Sequence, residues 1–471
     1  MGGLKGLAMM MVAMLTTGLE KGWAMQFDEF TLDNGLRVVV VPDTRVPVVT
    51  HSVWYNVGAM DEKPGKTGLA HMTEHLMFKG TPRYPAGEMD KIVQRKGGVQ
   101  NAFTSYDFTA YFQKVPVGEL PTMLDLESDR MVNLHLTDEI FQPERKVVAE
   151  ERKLTTDSDP SDRFFEQVLR RHYSAHTYGH PIIGWGEDIA GYTKDDALDW
   201  YRTHYAPNNA TLVMVGDMNA AQLKPLLETT YGRVARVDHV VSRTQTVEPA
   251  RTKPLEFVAM DAQVKVPVWH TLYRAPSAFQ GVAGAAVKDG DATALWVLAE
   301  ILGGSDTSRL HKALVLDGQL ADEATSSYDA VRAGETTFDI SVQPKDGVTL
   351  DRIGPAVAKV LAMLLADGVT DAELKRAKTT LLADETYARD DSFTSMYRVG
   401  MWLTAGGDMA DFNRWQDELA ALTTADVNRV AKLVLAEQGR TLAILVGKKA
   451  QLGALQVNLT LPTVAATTTA H

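Results

Sequence analysis

Apolar positions along this chain change period several times, and each change marks a new element. "FTLDNGLRVVVVPD" places four valines, Val38 to Val41, after Asn34-Gly35. That dipeptide is the strongest short turn signal, so the segment predicts a hairpin. "PVVTHSVWYNVGAMDE" adds a strand, and from Gly68 to Phe78 the spacing becomes helical. Alternation returns in "QNAFTSYDFTAYFQKV", where Tyr106, Phe108, Ala110 and Phe112 share one face of a predicted strand. Val117 to Leu134 and Gln142 to Leu154 read as helices, with a stop at Asp157 to Pro160. Asp195 to Tyr205 predicts another helix, and "APNNATLVMVGDM" a turn followed by a buried strand.

The last pattern occurs twice. "YTKDDALDWYRTHYAPNNATLVMVGDM" is echoed by "LTTADVNRVAKLVLAEQGRTLAILVGKK" about 230 residues later. Each opens a helix with a Thr cap before an acidic residue and closes on a strand. "VTHSVWYNVGA…GLAHMTEHL" and "VWHTLYRAPSA…TALWVLAEIL" form a second pair of echoes. Two such echoes predict two copies of one α+β unit. The join falls in the polar stretch from Arg236 to Pro254. The expected organisation is a domain over 25–240, a homologous one over 255–450, and a tail over 451–471.

Composition narrows the chemistry. The 471 residues carry a formal charge of -12 with no dense basic run, which argues against a nucleic-acid partner. There is no cysteine, so disulfides, thiol catalysis and thiolate-held zinc are excluded. Any metal must be held by His, Asp or Glu. At the N-terminus, Lys5 precedes the apolar run Leu7 to Leu15, and Gly22 and Ala24 offer small residues for cleavage before Met25. This is a secretory signal pattern over 1–24 and predicts a periplasmic or secreted protein, the alternative being a cytoplasmic one. No later segment is long and apolar enough to cross a bilayer.

The helical segment "GLAHMTEHLMFKGT" carries the candidate chemistry. On a helix, His71 and His75 fall about 40° apart, so both rings can meet one ion. Glu74 lies near the same edge and can face a reacting water without being a ligand. The order H-x-x-E-H inverts the H-E-x-x-H metallopeptidase motif. Two imidazoles leave a third ligand to be found. "PERKVVAEERKL" offers it: Glu144 and Glu151 are two turns apart on one face, while Glu150 points about 100° away from Glu151. On spacing alone either Glu150 or Glu151 could ligate. By itself H-x-x-E-H arises often by chance, but apolar neighbours Leu69, Leu76, Met77 and Phe78 predict partial burial, and buried imidazoles need partners. A rival set, His172, His176 and His180, is broken by Gly179 and Pro181 and reads as structural or capping. The second copy has Leu295, Trp296 and Leu298 in its corresponding helix, so only one half is armed.

With these segments the chain resembles the inverted-zincin peptidases of the pitrilysin and mitochondrial processing peptidase family, over about Phe27 to Lys449. "HMTEHLMFKGT" and "ERKVVAEE" carry the likeness. The resemblance implies two homologous domains, each a mostly antiparallel sheet packed with helices, forming half of a clam-shell dimer. It implies zinc (Zn2+) on His71, His75 and Glu151, with Glu74 as general base and Glu144 as supporting carboxylate. "QNAFTSYDFTAYF" resembles the family's edge strand for extended peptide substrate, starting at Asn101, Ala102 and Phe103. One departure stands out. Active members need an Arg and a Tyr, seven positions apart, after a "GG-x-x-SRL" segment. Here those positions are Val315 and Asp322, and neither can steady a developing oxyanion. The expectation is therefore a zinc endopeptidase finished by a homologous partner that lacks H-x-x-E-H but carries the Arg/Tyr pair. A homodimer is the alternative assembly. The rival functions are a non-catalytic core subunit of a larger complex and a dedicated processor of one peptide precursor.

Overall fold

The valine run after Asn34-Gly35 does form one arm of a hairpin, with Gly35 at φ +89° turning the chain. Strands β1 (Asp28–Thr31) and β2 (Arg37–Pro42) pair antiparallel across it. The computed structural model describes residues 24–244, 246–283, 287–456 and 459–460. The predicted signal segment lies outside the described residues apart from Ala24, and so does 461–471 of the predicted tail.

Twelve strands are found among the described residues, in two sheets of six. The first adds β3 (Val48–Tyr55), β4 (Val99–Thr104), β5 (Thr109–Pro116) and β6 (Ala210–Gly216). The second comprises β7 (Leu255–Met260), β8 (Val268–Ala275), β9 (Ala321–Tyr328), β10 (Thr336–Pro344), β11 (Arg440–Val446) and β12 (Leu459–Thr460). In their orders, β1-β2-β6-β3-β5-β4 and β12-β7-β11-β8-β10-β9, five strands repeat the same arrangement, and the outer strand differs: β1 is antiparallel to its neighbour and β12 parallel. Only β2–β6, β7–β11 and β7–β12 are parallel pairs; the rest are antiparallel. The predicted two-copy, mostly antiparallel α+β architecture is the one observed.

Two local expectations need correction. The alternation predicted as one strand is two, β4 and β5, paired with Thr104 opposite Thr109. Ser105 N–H closes the turn onto the Phe108 carbonyl at 2.8 Å, so Tyr106 is a turn residue and not part of the strand face. The polar alternation simply continued through a turn that lacks glycine. In addition, β12 lies inside the segment predicted as tail, where it extends the second sheet.

Why the central strands read as unbroken apolar runs becomes plain from their packing. Strands covered on both faces cannot alternate with polar residues. On β2, Val38 and Val40 face the first half's own helices, among them α1 (Leu69–Met77) and α2 (Asp138–Arg152). Val39 and Val41 face the other way, onto a helix supplied by the second half. The halves exchange helices. From the first, α3 (Pro160–His172) lays Phe164 and Val168 on Phe257, Ala259, Leu272, Ala443 and Leu445 of the second sheet. In the second, α4 (Asp291–Gly303) holds the place of α1, and α5 (Ser392–Ala405) lays Met396, Val399 and Leu403 on the first sheet.

The exchange has a tight point. A Cβ built on Gly400 of α5 would lie 2.0 Å from Cε2 of the buried Trp54. Gly400→Ala is expected to cost about 1–3 kcal/mol, the usual penalty for overpacking a core. Urea unfolding of the full chain measures it, and an unchanged midpoint would mean that α5 packs elsewhere.

The stretch predicted to join the halves has neither helix nor strand among its described residues, yet it is firmly held. Arg243 forks onto Asp61 at 3.0 Å through two nitrogens. Glu248 is fully buried and accepts backbone N–H groups from Ser174, Ala175 and His176 at 2.6–2.8 Å. Among the described residues no single helix is long and apolar enough to cross a membrane.

Candidate metal centre

Helix α1 buries Leu69, Ala70, Met72, Leu76 and Met77 against the first core, which leaves its partly open edge to His71, Glu74 and His75. The two rings sit 4.7 Å apart, as the four-residue spacing predicts. Opposite them runs α2, opened by acidic Asp138 and Glu139 in its first turn. Its Glu151 places Oε1 3.7 Å from His71 Nε2 and Oε2 3.2 Å from His75 Nε2. Ligand atoms from His71, His75 and Glu151 all lie within 4.8 Å of one another, the only such group of ligating side chains among the described residues. Of the two residues that spacing left open, Glu151 is the one brought to the histidines, while Glu150 is exposed and sits 3.5 Å from Lys153.

Glu144 lies two helical turns earlier on the same face and is buried. Its Oε1 is 3.0 Å from His75 Nδ1. A carboxylate only accepts, so Nδ1 carries the proton and Nε2 keeps its lone pair toward Glu151. Lys79 Nζ meets the other oxygen, Oε2, at 2.5 Å. Burial would raise the Glu144 carboxyl, but the bonds from His75 and Lys79 outweigh it and hold the group below its ordinary range. At His75 burial is likewise outweighed, here by Glu144, Glu151 and Glu74, so its proton affinity rises. The same carboxylates favour a divalent cation in place of that proton. His71 has no carboxylate as close; burial, with His75 nearby, drives it down to about 3, so it stays neutral and able to ligate.

Glu74 points beside this group and is not part of it. Thr104 Oγ1, at the end of β4, donates to its Oε2 at 2.6 Å. Burial raises the Glu74 carboxyl above its ordinary range, only partly offset by Thr104 and His75. That is the direction a general base at neutral pH requires. The donor set of two imidazole nitrogens and one carboxylate oxygen, with the distal imidazole nitrogen of His75 fixed by a carboxylate, fits zinc with an open position.

Asn101, Ala102 and Phe103, expected to start a substrate strand, lie on β4 at an edge of the first sheet. Asn101 is exposed, and its Oδ1 accepts the Ala102 N–H at 2.9 Å. Phe103 turns its ring away from the metal-side helix, 5.4 Å from Trp54 and 5.3 Å from Tyr397. Only its backbone is free for an edge role. The rival histidines do not converge: His172 Nδ1 meets Thr441 Oγ1 at 2.9 Å, and His176 Nδ1 accepts the Tyr178 N–H. In the second half, Leu295 and Leu298 of α4 are core residues. Val315 packs partly buried against that same core, and Asp322 is exposed on β9.

Lys79 and Thr104 were missed by sequence reasoning. Lys79 had a signal, since it follows His75 by one helical turn. Thr104 had none, because its partner is 30 residues away across a sheet edge.

Residues 37–185 match the family model described as "Insulinase (Peptidase family M16)". Residues 191–381 match "Peptidase M16 inactive domain". Together the matches cover well over half of the chain. The chain belongs to the M16 peptidase family. All of His71, Glu74, His75, Glu144 and Glu151 fall in the first M16 match, and Val315 and Asp322 in the second. A relative named zinc protease PqqE from Helicobacter pylori is 31% identical over 430 residues, covering 91% of this chain and 95% of that protein. A crystal structure of a protease from Helicobacter pylori superposes with a TM-score of 0.82 at 31% identity, covering 89% of this chain and 99% of that one. The periplasmic protease PqqL from Escherichia coli shares the fold at 19% identity and a TM-score of 0.77. There the match covers 92% of this chain but only 48% of PqqL.

Proposed function

We propose that this chain is a zinc-dependent endopeptidase acting on extended peptides or unstructured polypeptide segments. The observation that carries the reading is the convergence of His71, His75 and Glu151, with Glu74 beside them and an open sheet edge leading to it. Zinc held by those three side chains would polarise water and the scissile carbonyl. Glu74 takes the proton from the attacking water and returns it to the leaving amine. Thr104 holds the Glu74 carboxylate at the end of the strand that pairs with substrate. Asn101, Ala102 and Phe103 offer backbone groups for an added strand, which sets substrate register without reading its side chains. Glu144 keeps His75 in the ligating tautomer, with Lys79 holding the carboxylate charged.

The oxyanion side of the site is proposed to come from a homologous chain carrying an Arg/Tyr pair, the two chains closing as a clam shell. Support comes from Val315 and Asp322 here, and from PqqL, of which this chain's fold spans about half. Export is proposed from the N-terminal pattern, in keeping with the periplasmic description of PqqL.

Incubating the purified chain and its homologous partner with an unstructured peptide mixture tests the reading. Cleavage that stops with a zinc chelator and returns with zinc is expected; cleavage indifferent to chelation would overturn it. Glu144→Gln is expected to weaken zinc binding about 10- to 100-fold, the typical cost of losing a ligand's hydrogen-bond partner. Chelator competition measures this, and unaltered affinity would remove Glu144 from the site.

A further inference from the structure

The histidine helix begins without a side-chain cap of its own. Its N-cap is Gly68, at φ +90°, which has no side chain to cap the first turn. First-turn N–H groups need acceptors, and buried ones need them most. Two find theirs on Glu62: Oε2 accepts from Gly68 N–H and Oε1 from Ala70 N–H, both at 2.8 Å. The Glu62 side chain is completely buried. One side chain thus straddles two backbone amides.

A second tie joins the same point to the other ligand-bearing helix. Asp188 Oδ2 accepts from Thr67 N–H at 3.1 Å and Thr67 Oγ1 at 2.6 Å. The backbones touch so closely that a Cβ on Gly68 would lie 2.4 Å from the Ile183 oxygen, and one on Gly184 2.3 Å from the Thr67 oxygen. Arg152, the residue after Glu151, donates to the Gly184 carbonyl at 2.7 Å. A continuous path therefore runs from Glu62, through the start of α1 and residues 183–188, to the Glu151 end of α2.

We infer that Glu62 is a positioning residue of the metal centre: it fixes the start of α1 and so the rotation that turns His71 and His75 toward Glu151. A shift of one residue in the helix start would turn each ring by about 100° away from its partner. The inference rests on the zinc reading above.

Zinc affinity separates positioning from plain stability. Glu248 serves as control, being another fully buried carboxylate that accepts backbone N–H groups, but on the Ser174–His176 segment away from the metal ligands. Wild type, Glu62→Gln and Glu248→Gln are titrated with zinc against a chromophoric chelator, and their apo melting temperatures are recorded. Glu62→Gln offers one acceptor where two are needed. It is expected to weaken zinc about 10- to 100-fold, while Glu248→Gln loses thermal stability and keeps its zinc affinity. Equal zinc affinities for Glu62→Gln and wild type would overturn the inference, as would equal weakening in both variants. Should Glu62→Gln fail to fold, Asp188→Asn loosens the same helix start from outside; it must also weaken zinc, and unchanged binding overturns the proposal. A wild-type chain that binds no zinc refutes the underlying zinc reading and this inference with it.

Discussion

Glu74→Gln is expected to keep its zinc and lose its turnover. Glutamine has the same shape as glutamate and can still accept the Thr104 hydroxyl, so the helix and the ligands stay where they are. What it lacks is a basic oxygen to take a proton. General-base removal typically costs about 10²- to 10⁴-fold in rate. Peptide hydrolysis and metal analysis of one preparation give both numbers. Normal cleavage by the variant would mean another group is the base. Loss of zinc would mean Glu74 is itself a ligand.

The second large effect is dependence on a partner. The lone chain is expected to turn over peptides at least about 10²- to 10³-fold more slowly than the mixture with a homologous chain bearing the Arg/Tyr pair, the usual cost of an absent oxyanion donor. Val315 is partly buried against the second core and has no donor to offer. Asp322 is exposed on β9 and would repel developing negative charge. Steady-state rates with and without the partner measure the difference. Full activity from the lone chain would assign oxyanion stabilisation to a group within it.

Residues close in sequence were the legible ones. His71 and His75 are one helical turn apart, and Glu144 and Glu151 two turns, so the helix period alone aligned each pair. Asn34-Gly35 announced its hairpin because few dipeptides accept that turn. The echo between Thr193 and Thr423 was legible for the same reason: both are the predicted Thr caps, each closed in a capping box. Distance in sequence hid the rest. Nothing local says that α5 crosses to the first sheet, since its apolar face would suit any sheet; only the unbroken valines of β2 hinted at cover on both faces. Tyr106 was misread because alternation survives a tight turn. Nothing local marked Glu62, which meets the start of α1 only because Gly68 has no side chain to cap it.

Zinc is expected at one place. Crystals of the zinc-loaded chain, measured on both sides of the zinc absorption edge, should show one strong anomalous peak about 2.0–2.2 Å from His71 Nε2, His75 Nε2 and a Glu151 oxygen, with Glu74 outside ligand distance. A peak among His172, His176 and His180, or none at all in protein that hydrolyses peptides, would contradict it.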